Sequence, residues 1–187
     1  MKKKLLLTVA VIMALFTMTV SASETVTAIY NSSKVIVDNT EVAFEAYNID
    51  GSNYFKLRDI AYTFSPTDAQ FSPYYGFDIK WDAEQNAINI IRTYEWDEST
   101  YTAAGGEMEL GDGTNKDAVL STASVLLNGE PIELTAYNIN GNNYFKLRDL
   151  AKALDFAVDW DAESNSVIVY TYFSQEEYDD IKSSGWF

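Results

Sequence analysis

The sequence contains no cysteine and no histidine in 187 residues. That excludes disulfide staples, Cys and His metal sites, thiol nucleophiles and every catalytic device built on an imidazole. Basic residues are also few, with 13 Lys and Arg against 28 Asp and Glu, a formal net charge of −15. Nucleic acid is therefore not an expected partner, because its recognition rests on clustered cations that neutralise phosphates. Only three prolines occur, and 47% hydrophobic with 22% charged residues is the composition of a globular chain.

Only one long apolar run is present, and it reads as an address. Lys2, Lys3 and Lys4 precede an uncharged stretch over 5–20, and Val20, Ser21 and Ala22 follow at the positions a signal peptidase reads. This is the order of a secretory signal, residues 1–22, with cleavage expected after Ala22 and Ser23 as the alternative. The run is shorter than the roughly 20 residues of a membrane span. No Cys follows it, which excludes a lipoprotein anchor. The exported chain would keep ten basic and all 28 acidic residues, a net charge of −18, and no membrane contact after cleavage. An exported chain without cysteine fits a secreted or cell-surface protein of a Gram-positive type bacterium.

The remainder is one unit written twice. Residues 46–61, A-Y-N-I-D-G-S-N-Y-F-K-L-R-D-I-A, recur 90 positions later at 136–151 with 13 of 16 positions identical. The match extends back to 35–39 and 125–129, and forward to W-D-A-E at 81–84 and 160–163, there at an offset of 79. The first copy therefore carries 11 extra residues after its helix, within 65–76. These boundaries give a first module over 28–92, a linker over 93–117 and a second module over 118–171. Ser174 and Glu177 then form a capping box before a short C-terminal helix and tail, 174–187.

Within each unit, period-2 segments at 35–38, 41–49, 53–57, 77–81 and 88–90 read as strands, and Asn128-Gly129 is a strong hairpin turn. Leu57, Ile60, Ala61 and Phe64, like Leu147, Leu150, Ala151 and Leu154, make the apolar stripe of a short helix. The expected fold class is α+β: two tandem small modules, each an antiparallel sheet of about five strands, β-β-β-α-β-β, packed on one short helix. A module of about 60 residues is marginal alone, so the two copies are expected to touch.

The ordered pieces Y-N-I-x-G-x-N-Y-F-K-L-R-D-[IL]-A and W-D-A-E-x-N, present twice, resemble the copper amine oxidase N-terminal-like, or stalk, domain. The resemblance covers both units, and implies a β-sheet-plus-helix module outside the membrane with no activity of its own. It departs from the family where Phe55-Lys56 stands in place of Val-Pro, and in the insertion of the first copy. Copper and quinone chemistry do not transfer, since this chain lacks histidine ligands. No cofactor, no metal and no copper are expected.

Lys56, Arg58, Lys146 and Arg148 are four of the ten basic residues left after the leader, all in the duplicated K-L-R. Strand alternation places Phe55 and Leu57 toward the core, with Tyr54, Lys56 and Arg58 facing away. One reading is a ligand face on each module, Tyr54, Lys56, Arg58 and Tyr144, Lys146, Arg148, with rings to stack on sugars and cations to meet an anionic polymer. The other is intramolecular, with the arginines bridging Asp82, Asp161 or another carboxylate. Trp81 and Trp160 end alternating strands and read as core. Tyr74, Tyr75, Trp96 and Tyr101 cluster as exposed aromatics suited to a partner patch. The D-A-E triplets have the spacing of polar turns, and Asp112, Asn115 and Asp117 lack the ligand spacing of a Ca²⁺ loop.

The expected function is that of a secreted, non-catalytic envelope module, a spacer or a binder of cell-wall polysaccharide or another surface protein. The alternatives are a carboxylate-based hydrolase of wall polymers and a self-associating structural protein.

Overall fold

A computed structural model describes residues 24–65, 76–92 and 101–185. The signal segment 1–22, most of the insertion and most of the first part of the linker lie outside the described residues. Fourteen strands and three helices account for 46% and 17% of what is described.

The first copy contributes β1 (Thr25–Asn31), β2 (Lys34–Val37), β3 (Thr40–Val42), β4 (Ala46–Ile49), β5 (Ser52–Lys56), α1 (Leu57–Thr63), β6 (Phe77–Asp82) and β7 (Ala87–Arg92). The second repeats this series as β8 (Lys116–Leu120), β9 (Ser124–Leu127), β10 (Glu130–Ile132), β11 (Ala136–Ile139), β12 (Asn142–Lys146), α2 (Leu147–Leu154), β13 (Ala157–Asp161) and β14 (Ser166–Tyr170). Helix α3 (Gln175–Ser183) closes the chain. Its Ser174 side chain accepts from the Glu177 N–H, and Glu177 accepts in return from the Ser174 backbone.

These strands do not form two tandem modules, and the α+β expectation is overturned. Every sheet is built from both copies. Strands β1-β4-β5-β12-β11-β8 close a six-stranded barrel, and two four-stranded sheets run β10-β9-β7-β6 and β13-β14-β2-β3. The β2–β3 hairpin of the first copy is thus a continuation of the second copy's sheet, through parallel pairing of Val35 with Val167 and Val37 with Val169. The β9–β10 hairpin makes the reciprocal exchange, with Ile88 opposite Val125 and Ile90 opposite Leu127.

Equivalent residues of the two copies face each other at both seams of the barrel. Phe55 pairs with Phe145 where β5 meets β12, and Thr27 with Asp117 where β1 meets β8. Antiparallel pairing of a segment with its own repeat generates a local twofold axis through each of those pairs. The same symmetry appears in the turns. Asp38 and Asn39 (φ 47° and 68°) and Asn128 and Gly129 (φ 52° and 86°) both take the double left-handed conformation that matches strand twist. Each turn then ties down the other copy, since Asp38 Oδ1 accepts the Thr171 N–H at 2.9 Å and Asn128 Oδ1 accepts the Arg92 N–H at 2.8 Å.

Two cores result. One fills the barrel, with Ala28, Tyr47, Ile49, Tyr54, Ala118, Ile139 and Tyr144. The larger joins the barrel's outer face (Phe55, Phe145) to the stripes of α1 and α2 and the valines and isoleucines of the two outer sheets. Among the described residues no helix is long and apolar enough to cross a membrane.

Interlocking makes a prediction about the isolated repeat. Residues 24–92 alone lose one of the two neighbours of β1, β2, β5 and β7, so they are expected to be unfolded as a monomer and to regain strand content only by dimerising. Circular dichroism with sedimentation across a concentration series would measure this. A folded monomer would contradict the exchange of hairpins.

Candidate functional site

The duplicated K-L-R sits where a barrel strand becomes a helix. Lys56 and Lys146 occupy the N-cap positions of α1 and α2 in extended conformation, without a side-chain cap, and Leu57 and Leu147 point into the larger core. The expected outward face is corrected here. Tyr54 and Tyr144 do alternate away from Phe55 and Phe145, but that direction is the barrel interior, where both are buried. Tyr54 packs edge-on to Tyr137 at 5.3 Å and Tyr144 to Tyr47 at 5.5 Å, a symmetric pair of tyrosine pairs.

Lys56 is also buried, and this is where the copies diverge. Glu45 stands where the second copy has Thr135. Its carboxylate accepts from the Tyr47 hydroxyl at 2.7 Å and the Tyr144 hydroxyl at 2.8 Å. The Lys56 ammonium lies 3.6 Å from Glu45 and 3.4 Å from Asp59, whose side chain is fully buried. Two carboxyls thus share one cation. Burial, outweighing Lys56 and the Met108 N–H bond, pushes the Asp59 carboxyl up, and its Oδ2 has no hydrogen-bond partner. Burial and the Glu45 carboxylate raise both tyrosine hydroxyls well above their ordinary range. In the second copy the corresponding pair, Lys146 with Asp149, is 3.9 Å apart with side chains 36% and 47% exposed.

The accessible chemistry lies just outside this layer, in two grooves that repeat one another. The first, about 190 Å³, is lined by Arg58, Lys80 and Trp81 of the first copy and by Gly141, Asn142 and Asn143 of the second. The other, about 220 Å³, is lined by Lys146, Arg148 and Trp160 and by Gly51, Ser52 and Asn53. Each is composite: one copy supplies the cations and an indole, and the other supplies the polar turn after its barrel strand. Trp81 and Trp160 are 52% and 40% exposed, so their expected place in the core is also corrected. They precede the D-A-E turns at the ends of their hairpins, past the point where the outer sheets cover the core.

Five of the ten basic residues expected in the exported chain line the two grooves. Lys56 contributes mainly its stem to the first, since its ammonium is directed at Glu45 and Asp59. Arg58 donates to the Tyr101 hydroxyl at 3.4 Å, and the arginine bridges to Asp82 or Asp161 do not form. Asp159, which takes the place of Lys80 in the second groove, accepts from the Tyr178 hydroxyl at 2.7 Å and from Lys182. Burial works to raise this carboxyl, but those donors hold it below its ordinary range, so it stays ionised and paired.

Of the aromatics expected in an exposed patch, Tyr74, Tyr75 and Trp96 lie outside the described residues. Tyr101 is described and is buried; its hydroxyl donates to Glu107 at 2.7 Å, and burial with that carboxylate pushes it up to about 12. Among the described residues no three potential metal-ligating side chains converge. No family model, curated protein or solved structure matches this chain.

Two stability measurements test the buried charge layer. Lys56→Met leaves two buried carboxyls without their cation and is expected to cost about 3 kcal/mol in urea unfolding at neutral pH. Lys146→Met should stay within about 0.5 kcal/mol. Because the folded chain holds the Asp59 proton to higher pH than the unfolded chain, this carboxyl's contribution to stability is present in acid. It is lost as pH rises from the ordinary aspartate range, near 3.9, through the raised folded value. Asp59→Asn should remove that slope, and an unchanged pH profile would contradict the assignment.

Proposed function

We propose that this chain is an exported, non-catalytic binding module for an anionic polysaccharide of the cell envelope, held in the two Trp-lined grooves. The observation that carries this reading is the duplication of the groove itself. An exposed indole, an arginine and a polar turn recur in the same arrangement, each joined by one further accessible lysine (Lys80 or Lys146), on a chain that is otherwise strongly acidic. An indole face stacks on the apolar face of a sugar ring, asparagine amides and turn N–H groups bond hydroxyls, and Arg58 or Arg148 pairs with a carboxylate. Grooves near 200 Å³ fall below the 300–1,000 Å³ of enclosed small-molecule sites, and fit one ring at a time. Two such sites suit a repeating polymer, because the second contact becomes intramolecular once the first is made.

The resemblance to stalk domains supports the same reading, as that of an accessory module outside the membrane. A hydrolase finds less support. Its best location is the cleft between α2 and α3, where Asp159 and Glu177 are both held low, the wrong direction for a general acid. Asp59, which is pushed up, is sealed from solvent.

The test is co-sedimentation of residues 23–187 with purified cell-wall sacculi at low and moderate salt. Wild type should pellet, less at higher salt. Trp81→Ala or Trp160→Ala alone should weaken binding tenfold or more through loss of bivalency, and the double variant should remain soluble. Equal pelleting of the double variant, or none by wild type, would sink the glycan reading.

A further inference from the structure

The buried charge layer at the end of the barrel holds an amine against a carboxyl, out of water. Lys56 and Asp59 are the N-cap and N3 residues of α1, the spacing at which a capping box brings two side chains together. The Lys56 side chain is 7% exposed and that of Asp59 fully buried, and Lys56 Nζ lies 3.4 Å from Asp59 Oδ2. Residues 101–112 pass beside them as a strap. Arg58 bonds to Tyr101, the Met108 N–H donates to Asp59 Oδ1 at 3.0 Å, and Gly111 lies against Glu45.

The two oxygens of Asp59 are unlike. Oδ1 accepts the Met108 N–H, while Oδ2, the oxygen beside Lys56, has no hydrogen-bond partner. Burial pushes this carboxyl up, so it keeps its proton to higher pH than an exposed aspartate. Glu45 is an acceptor on both oxygens, from the Tyr47 hydroxyl at 2.7 Å and the Tyr144 hydroxyl at 2.8 Å. Its Oε2 lies 3.6 Å from Lys56 Nζ, within reach of an ammonium proton. An amine, a carboxylic acid and a carboxylate base are thus held side by side.

We propose that Lys56 and Asp59 join in an isopeptide bond, an amide between Nζ and Cγ that the folded chain forms without added reagent. Glu45 takes one proton from the Lys56 ammonium, and the freed amine attacks Asp59 Cγ. The Met108 N–H already faces Oδ1, the oxygen on which negative charge develops. The Nζ–Cγ bond forms and the Cγ–Oδ2 bond breaks. Oδ2 leaves as water, carrying its own proton and a second one from Nζ, and the third hydrogen stays on the amide nitrogen. An ammonium, a carboxylate and a carboxylic acid become an amide, a protonated Glu45 and one water, so atoms and charge balance. Fixing both groups in one buried layer makes the step unimolecular.

The second copy supplies an internal control. Lys146 and Asp149 have the same spacing, but lie 3.9 Å apart with side chains 36% and 47% exposed, and Thr135 stands where the base would be. One link therefore forms per chain, not two. Until it forms, Lys56 and Asp59 are the titrating pair described above, and unfolding measurements on that pair apply to chain of full mass.

Intact-mass spectrometry of the purified chain, denatured after prolonged standing in the folded state, tests the link. The chain is expected to be lighter than its sequence by one water, with the loss mapping to a peptide that contains both Lys56 and Asp59. Lys56→Arg should have full mass, and Lys146→Arg should keep the deficit. Glu45→Gln, shown to be folded by circular dichroism, should lose the water about a hundredfold more slowly. Full mass in wild type, a deficit that persists in Lys56→Arg, a link that maps to Lys146, or equal rates in Glu45→Gln and wild type would each overturn the proposal.

Discussion

The pairing of β5 with β12 is the contact on which the rest of this protein depends. It joins the two copies at Phe55 and Phe145, the same residue in each, and so sets a local twofold that the fourteen strands, α1 and α2 follow. Closure of the barrel through β1 and β8, exchange of the β2–β3 and β9–β10 hairpins, and the matched staples at Asp38 and Asn128 all follow it. A unit of about 60 residues buries only about 60% of its unfolded surface by itself and is marginal. Exchanging hairpins lets each copy complete the other's sheet and places both faces of the central strands in a core.

Symmetry of this kind makes departures from it informative. Glu45 in place of Thr135 converts one end of the barrel into a buried charged layer, contacted by residues 101–112 through Met108 and Gly111. Lys80 in place of Asp159 leaves one groove with an added cation, while the other has its carboxylate neutralised by Lys182. The two copies therefore share a scaffold and a groove design, but differ in cover and in local charge. One holds its polar residues inside; the other holds them at the surface.

The grooves depend on the exchange. Their indoles and cations come from one copy and their polar turns from the other, so neither copy contains a whole site. Strands and helix starts position the side chains, which would limit the ordering cost of the polymer binding proposed for them.

Much of the local structure was legible. The repeat, the hairpin turns, the stripes of α1 and α2 and the capping box of Ser174 with Glu177 are determined by periodicity and turn chemistry, which act over a few residues. The cations Arg58, Lys146 and Arg148 were legible as site candidates because basic residues are scarce. What the sequence could not show is which copy each strand pairs with, because the repeats are near-identical and either partner satisfies the same pattern. That choice decided the fold. It also reversed the alternation argument for Tyr54, Tyr144 and Lys56, since in a closed barrel the face away from one core is the interior of another. Burial of Tyr101 and exposure of Trp81 and Trp160 were likewise tertiary outcomes. The strap at 101–112 has no periodicity to announce it, and the indoles lie past the edge of a core whose extent depends on strands 40 to 130 residues away in sequence.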